Sequence, residues 1–168
     1  MSGKIEFIEK LDIDKVKLWE GNPRFNDEAA ERLAEILRVH GFINPIILDK
    51  NYIVRAGNTR VKAAKLAGIK CVPALIVDFK DEAHAIAYSL SDNKSTEWAQ
   101  WDYQGLKEII SELESLDFDL MKTGFDANEI EKILTYEEMF GDDEEYLREN
   151  YEEPDKDKEV CPYCGRPL

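Results

Sequence analysis

The stretch Val54-Arg55-Ala56-Gly57-Asn58-Thr59-Arg60-Val61-Lys62-Ala63-Ala64 decides how this chain is read. Extended-type residues run into a glycine, and helix formers follow, so a strand-to-helix junction falls at Gly57. At such a junction the unpaired N–H groups of the first turn, a hydroxyl and the positive end of the helix dipole converge, and Arg60 and Lys62 add charge nearby. Two readings stand level on these residues alone. One is a phosphate-type anion site. The other is an ordinary helix start, with Gly57 making the bend and Asn58 or Thr59 capping the first turn.

Working outward, the helix is expected from Thr59 to Ala67 with Gly68 at its end, leading into the β-rich run Val72–Val77. Upstream, Pro45–Leu48, the polar turn Asp49-Lys50-Asn51 and Tyr52–Val54 read as a β-hairpin. Ala30, Leu33, Ala34 and Leu37 recur at helical spacing, with Asn26 and Asp27 as capping candidates and Gly41 as the stop. Ile5 to Leu18 reads as a strand that leads to the turn Gly21-Asn22-Pro23. This mixture predicts an α+β domain. Downstream the pattern turns helical: Asp81 caps a helix reaching Leu90, and Asp102 caps one carrying Leu106, Ile109, Ile110 and Leu113. Asp126 with Glu129 forms a capping-box start for a helix at 127–139.

The 168 residues suffice for one core and an appendage, and 43% hydrophobic content is enough to fill that core. The acidity is concentrated: residues 126–159 carry fifteen acids and four bases, a net of −11 out of −14. An acidic protein binds DNA phosphates poorly without clustered Lys and Arg, so any DNA contact is expected to be local or to run through a partner protein. No apolar run approaches the ~18 residues that cross a bilayer. Met1-Ser2-Gly3-Lys4 leads into an alternating segment, unlike a signal peptide. With an odd number of cysteines, two of them in a Cys-x-x-Cys pair, a cytoplasmic protein without membrane partners is expected.

Several boxes, taken in order, carry a resemblance. Asn22-Pro23-Arg24, Gly41-Phe42-Ile43-Asn44-Pro45, Gly57-Asn58-Thr59-Arg60, Lys70-Cys71-Val72-Pro73 and Asp92-Asn93-Lys94 together resemble the ParB N-terminal domain. That family shares its fold with sulfiredoxin and with free-serine kinases. The resemblance spans residues 5–97 and implies a ParB/sulfiredoxin-like mixed sheet with helices. It further implies a nucleotide, CTP or ATP/ADP, bound with Mg2+: Gly57, Asn58, Thr59 and Arg60 on the phosphates, Arg24 and Asn44 lining the pocket, and Asp92 and Asn93 near the metal. Asp92 is also the catalytic candidate. Fold alone does not choose among the family's chemistries.

Two departures matter. Asn58-Thr59 stands where segregation ParB proteins have Glu-Arg, which removes one cationic phosphate ligand. Asp92 replaces their glutamate and shortens the carboxylate's reach. The Gly-Asn-Thr-Arg form, the Asp-Asn-Lys box and Gly124-Phe125-Asp126 look like ParB-like domains of phages, mobile elements and DNA-methylase-associated proteins. The implied role is in DNA transactions. The alternatives are a metal-dependent nuclease or small-molecule kinase working through Asp92, and a non-catalytic adaptor for a DNA-modifying or packaging partner. Sulfiredoxin chemistry is disfavoured, because it needs a cysteine in the turn and position 58 is Asn.

The remaining segments read more plainly. Trp98 and Trp101 are expected to pin the helical half onto the α/β half, and Cys71 to be a core residue. Helices within 98–140 are read as a small helical subdomain or homodimer surface, because Glu108, Glu112, Glu114, Glu129 and Glu131 would repel a DNA groove. Residues 141–160 read as an acidic linker. At 161–168, Cys161-Pro162-Tyr163-Cys164-Gly165 has the form of a zinc turn, half of a tetrahedral Zn2+ shell, the other readings being a metal-free tail or a redox pair. If Cys161 and Cys164 of two subunits share one zinc, mass-spectrometric metal analysis gives one zinc per two chains, and chelation lowers the dimer fraction on sizing. One zinc per monomer rejects sharing.

Overall fold

The computed structural model describes residues 3–135. Its centre is a four-stranded mixed sheet in the order β1-β4-β2-β3. The strands are β1 (Ile5–Asp12), β2 (Ile46–Asp49), β3 (Val54–Ala56) and β4 (Cys71–Val77). β1 runs antiparallel to β4, β4 parallel to β2, and β2 antiparallel to β3. The α+β expectation holds.

Helices α1 (Asp27–His40) and α2 (Asn58–Leu66) pack together, and their inward residues Ala30, Ala34, Leu37, Val61, Ala63 and Ala64 join Leu11, Ile46, Leu48, Val54, Val72 and Ala74 in one core. Small alanines let the two helices approach closely. α3 (Glu82–Ser95) packs against β3, with Ala85 and Ser89 buried. It begins at the expected Asp81 cap and runs past Leu90, so that Asp92 and Asn93 lie on its last turns. The expected strand to Leu18 stops at Asp12. There the Asp12 carboxylate accepts from the Asp14 N–H at 3.0 Å, which bends the chain into a short 3-10 turn at Ile13–Lys15.

The helical half comprises α4 (Tyr103–Ser115), a 3-10 turn at Leu120–Thr123 and α5 (Ala127–Leu134). Its separate small core holds Leu106, Ile110, Ile130 and Ile133. α5 starts with the expected capping box between Asp126 and Glu129. The tryptophans do not join the halves: Trp98 and Trp101 are 71% and 63% exposed, and Trp101 rests edge-on against Phe125 within the helical half. The junction is made at the far end of α1, where the His40 ring faces Phe118 and its Nε2 lies 3.1 Å from the Lys122 carbonyl. Cys71 is exposed at the start of β4 and is not a core residue. Its strand neighbour Val72 takes the inward position instead. The end of the helix expected at 127–139, the acidic linker and Cys161 and Cys164 lie outside the described residues. Among the described residues no helix is long and apolar enough to cross a membrane.

Ile46, fully buried on β2 where that strand meets β4, is the most direct probe of this core. Ile46→Ala should cost about 2–5 kcal/mol. In urea titration this appears as a lower midpoint with an unchanged slope.

Candidate functional site

The junction at Gly57 lies on the wall of a cavity of about 150 Å³. The cavity is lined by Trp19, Asn22 and Arg24 from the loop after β1, Arg55 and Ala56 from β3, Gly57 to Arg60 at the start of α2, and Asp92, Asn93 and Thr96 from the end of α3. Three chain segments far apart in sequence thus meet at one polar hollow.

Gly57 is the N-cap of α2 with φ +101°, a left-handed conformation that only glycine adopts without strain. The capping alternative is not realised. No side chain caps α2, because Asn58 Oδ1 accepts from the Trp19 N–H at 3.1 Å and Thr59 Oγ1 accepts from Asn26 Nδ2 at 3.1 Å. α3, α4 and α5 each carry an aspartate cap, whereas the first turn of α2 has neither cap nor acid. Its N–H groups and dipole are left for something else.

Arg60 leans back over the turn, with Nη1 donating to the Pro45 carbonyl at 3.0 Å and to the Asn44 carbonyl at 3.3 Å. Burial lowers its pKa, against the opposing pull of the Asp92 carboxylate and Tyr88. Tyr88 is in turn raised, by burial first and by Asp92 second, while Arg60 acts the other way. Arg60 and Asp92, both lining the cavity, are therefore electrostatically linked to each other and to Tyr88. Arg24 bridges the rim: Nη2 donates to the Asn93 carbonyl at 3.0 Å and to Glu97 Oε1 at 2.8 Å. Lys94 and then Arg24 hold the Glu97 carboxyl below its usual range. Asn93 Nδ2 reaches Asn22 Oδ1 at 3.4 Å.

Of the residues singled out from sequence, Arg24, Gly57, Asn58, Thr59, Arg60, Asp92 and Asn93 come together here. Asn44 does not line the cavity; it is exposed and contributes only its backbone carbonyl, to Arg60. Lys62 does not add charge to the cavity either. One helical turn further round, its Nζ pairs with Asn26 Oδ1 at 2.7 Å and Asp27 Oδ1 at 2.6 Å, at the start of α1.

Sequence reading missed Trp19, Asn22, Arg55 and Thr96 as lining residues. Arg55 offered a signal: an arginine between Val54 and Ala56, in a strand otherwise buried, needs a buried partner. Asp49 is that partner, accepting from Nε at 3.0 Å and from Nη2 at 2.7 Å. Among the described residues Asp92 is the one carboxylate lining the cavity, and no group of three or more His, Cys, Asp or Glu side chains is placed to hold a metal.

A mixed sheet backed by helices, with an uncapped strand-to-helix turn facing a cavity, defines a ParB-type α+β domain. Residues 2–94 match the family model of the ParB N-terminal domain, more than half of the chain, and the chain belongs to that family. Residues 104–164 match the model of the ParB-methyltransferase HTH domain. This match falls on the helical half, which the sequence reading took as a small subdomain or homodimer surface.

The probable chromosome-partitioning protein ParB of Coxiella burnetii is 41% identical over 91 residues, covering 51% of this chain and 31% of that protein. The nucleoid occlusion protein of Halalkalibacterium halodurans is 36% identical over 89 residues, covering 50% and 31%. The chain thus matches about a third of the length of these curated relatives. Among solved structures, the C-terminally truncated chromosome-partitioning protein ParB of Caulobacter crescentus, complexed with CTP-gamma-S, has the same fold. Its TM-score is 0.64 at 20% identity, over 78% of this chain and 77% of that one.

A methyl group at position 57 would stand 3.0 Å from both Ile46 Cγ2 and Arg60 Nε. Gly57→Ala should therefore cost about 1–2 kcal/mol for the left-handed backbone alone, and should displace Arg60. Chemical denaturation measures the first effect, and a crystal structure of the variant the second.

Proposed function

We propose that the cavity binds the phosphates of a nucleoside triphosphate. The observation that carries this reading is the open N-terminus of α2, uncapped and free of acids, aimed with Arg60 into a polar hollow. Backbone N–H groups, a dipole and a guanidinium are what a phosphate requires, and no described side chain competes for the first turn. A cavity of about 150 Å³ takes phosphate groups and leaves the base at the mouth. The CTP-gamma-S complex of the Caulobacter crescentus protein supports CTP as the first nucleotide to try.

The residues present fit a magnesium ion held jointly with the ligand. Mg2+ binds through one or two carboxylates, phosphate oxygens and retained waters, and Asp92 supplies one carboxylate. Bound there, the metal would neutralise phosphate charge. Arg60 orients the phosphates, the α2 N–H groups bind their oxygens, and the Arg24–Glu97 bridge ties the rim to the end of α3. A nuclease or kinase working through Asp92 is less well supported, since it calls for further carboxylates at the cavity.

The wider role we assign is a cytoplasmic ParB-like protein of DNA transactions, in a DNA-modification or mobile-element setting. The match of residues 104–164 to a helix-turn-helix model supports a DNA contact through that half. Its acidity favours a local contact, or one shared with a partner protein.

Calorimetric titration with CTP, ATP, ADP and GTP in the presence of magnesium tests the central claim. At least one nucleotide should bind, and Arg60→Ala should weaken it about ten- to hundred-fold, the loss of one or two charge-assisted hydrogen bonds. Absence of binding to the wild-type chain by all four would falsify the proposal.

A further inference from the structure

Arg55 stands two residues before the Gly57 turn, on β3, and its side chain is only 1% exposed. Three groups fix it. Asp49 Oδ2 takes Nε and Nη2, both Glu82 carboxylate oxygens lie 2.9 Å from Nη2, and the Trp19 ring centroid lies 5.8 Å from the guanidinium carbon. These contacts use one edge of the guanidinium. Nη1 is buried and has no hydrogen-bond partner among the described residues.

A guanidinium carries five N–H donors and no acceptor, and leaving the donors of a buried cation unmet is costly. Native structures tolerate this chiefly where an ion, a ligand or a water completes the set. Arg55 also lines the cavity. It comes from β3, the strand that runs into the Gly57 turn. The Gly57-Asn58-Thr59-Arg60 turn has a single arginine, so a second guanidinium from β3 would add a cationic donor that the turn itself lacks.

We infer that Arg55 is a further ligand-binding residue of this cavity, its free Nη1 donating to a phosphate oxygen of the bound nucleotide. Asp49 is its fixed positioning partner. Asp49 Oδ1 is already held by the backbone N–H groups of Asn51 and Ile53, so this carboxylate cannot swing away. Glu82 differs: its side chain is 66% exposed, and it adds a second negative charge to the same guanidinium. Two carboxylates around one cation leave the cluster net negative, so Glu82 opposes an incoming phosphate. The inference rests on the nucleotide reading of the cavity.

A purely structural Arg55 and a ligand-binding one respond oppositely to Glu82→Gln. Neutralising an exposed partner hardly alters stability, yet it removes a charge that repels phosphate. Binding of inorganic tripolyphosphate with magnesium to the full chain should then tighten about three- to ten-fold. Removing Arg55 alone would strand the buried Asp49 charge, so the companion variant is Asp49→Asn with Arg55→Gln, checked by circular dichroism. The amide introduced by Asp49→Asn retains an oxygen for the turn N–H groups. This folded double variant should bind tripolyphosphate at least about ten-fold more weakly than wild type. If both variants bind as wild type does while Arg60→Ala loses binding, Arg55 is structural and the inference is overturned, with the nucleotide reading intact. If wild type binds neither tripolyphosphate nor any nucleoside triphosphate, the nucleotide reading fails and takes the inference with it.

Discussion

A single ion cluster, Arg55 between Asp49 and Glu82, holds together the elements from which the cavity is built. Asp49 ends β2, Arg55 sits in β3, and Glu82 opens α3. Trp19, stacked on the guanidinium, belongs to the loop after β1. Burying a cation costs several kcal/mol of lost hydration, which close pairing returns only when the geometry is good. The Asp49 contact, in which Nε and Nη2 both donate to Oδ2, meets that condition, and so the cluster fixes the hairpin, the Trp19 loop and α3 relative to one another. Removing Arg55 or Asp49 would leave the other's buried charge uncompensated. A hydrophobic replacement would pack as well but would not specify the same register between β3 and α3.

Given that frame, the start of α2 has only one way to be exposed to the cavity. β3 ends at Ala56, and the chain turns through a left-handed Gly57 before the helix begins. Asn58 and Thr59 have the chemistry of helix caps but use their oxygens elsewhere, on the Trp19 N–H and on Asn26. These two bonds have a double effect. They anchor the Trp19 loop and the start of α1 to α2, and they withhold the usual intramolecular partners from the first turn. The open first turn is thus a by-product of cross-linking by its own side chains, and it stays open only while Asn58 and Thr59 remain so engaged.

Much of the frame was legible in the sequence because it obeys local rules. Period-3.6 apolar residues mark α1, α4 and α5. Gly57 and Gly41 mark bends, and the Asp49-Lys50-Asn51 turn marks the hairpin. The Gly57–Arg60 turn was legible as a point of converging charge, although capping and anion binding were indistinguishable there; the long-range partners of Asn58 and Thr59 remove the capping reading. The errors share one cause. Lys62, Cys71, Trp98 and Trp101 were assigned by residue type, but their surroundings depend on which segments the fold brings near. Arg55 was overlooked although its place between Val54 and Ala56 marked it, because its partners Asp49 and Glu82 come near only in the fold. The match of the second half to a helix-turn-helix model was not foreseen for another reason: its net acidity argues against the electrostatic footprint by which DNA-binding helices are usually recognised.

The sheet order has a kinetic consequence. β4 is the strand on which the sheet is assembled, pairing with β1 on one side and β2 on the other, and Ile5 meets Val77 in the register. During synthesis β1 emerges first yet has no partner until β4 follows, so a long loop must close before the first strand is satisfied. The hairpin and α1 can form earlier, from near neighbours. Parallel and long-range pairing is the slow part of such a fold. In the interval β1 presents Ile5 and Phe7, which remain more than half exposed even in the finished structure, on a strand interrupted by Glu6, Glu9 and Lys10. Those charges interrupt what would otherwise be an adhesive segment, and they do so at the stage when the waiting strand is most open to mispairing.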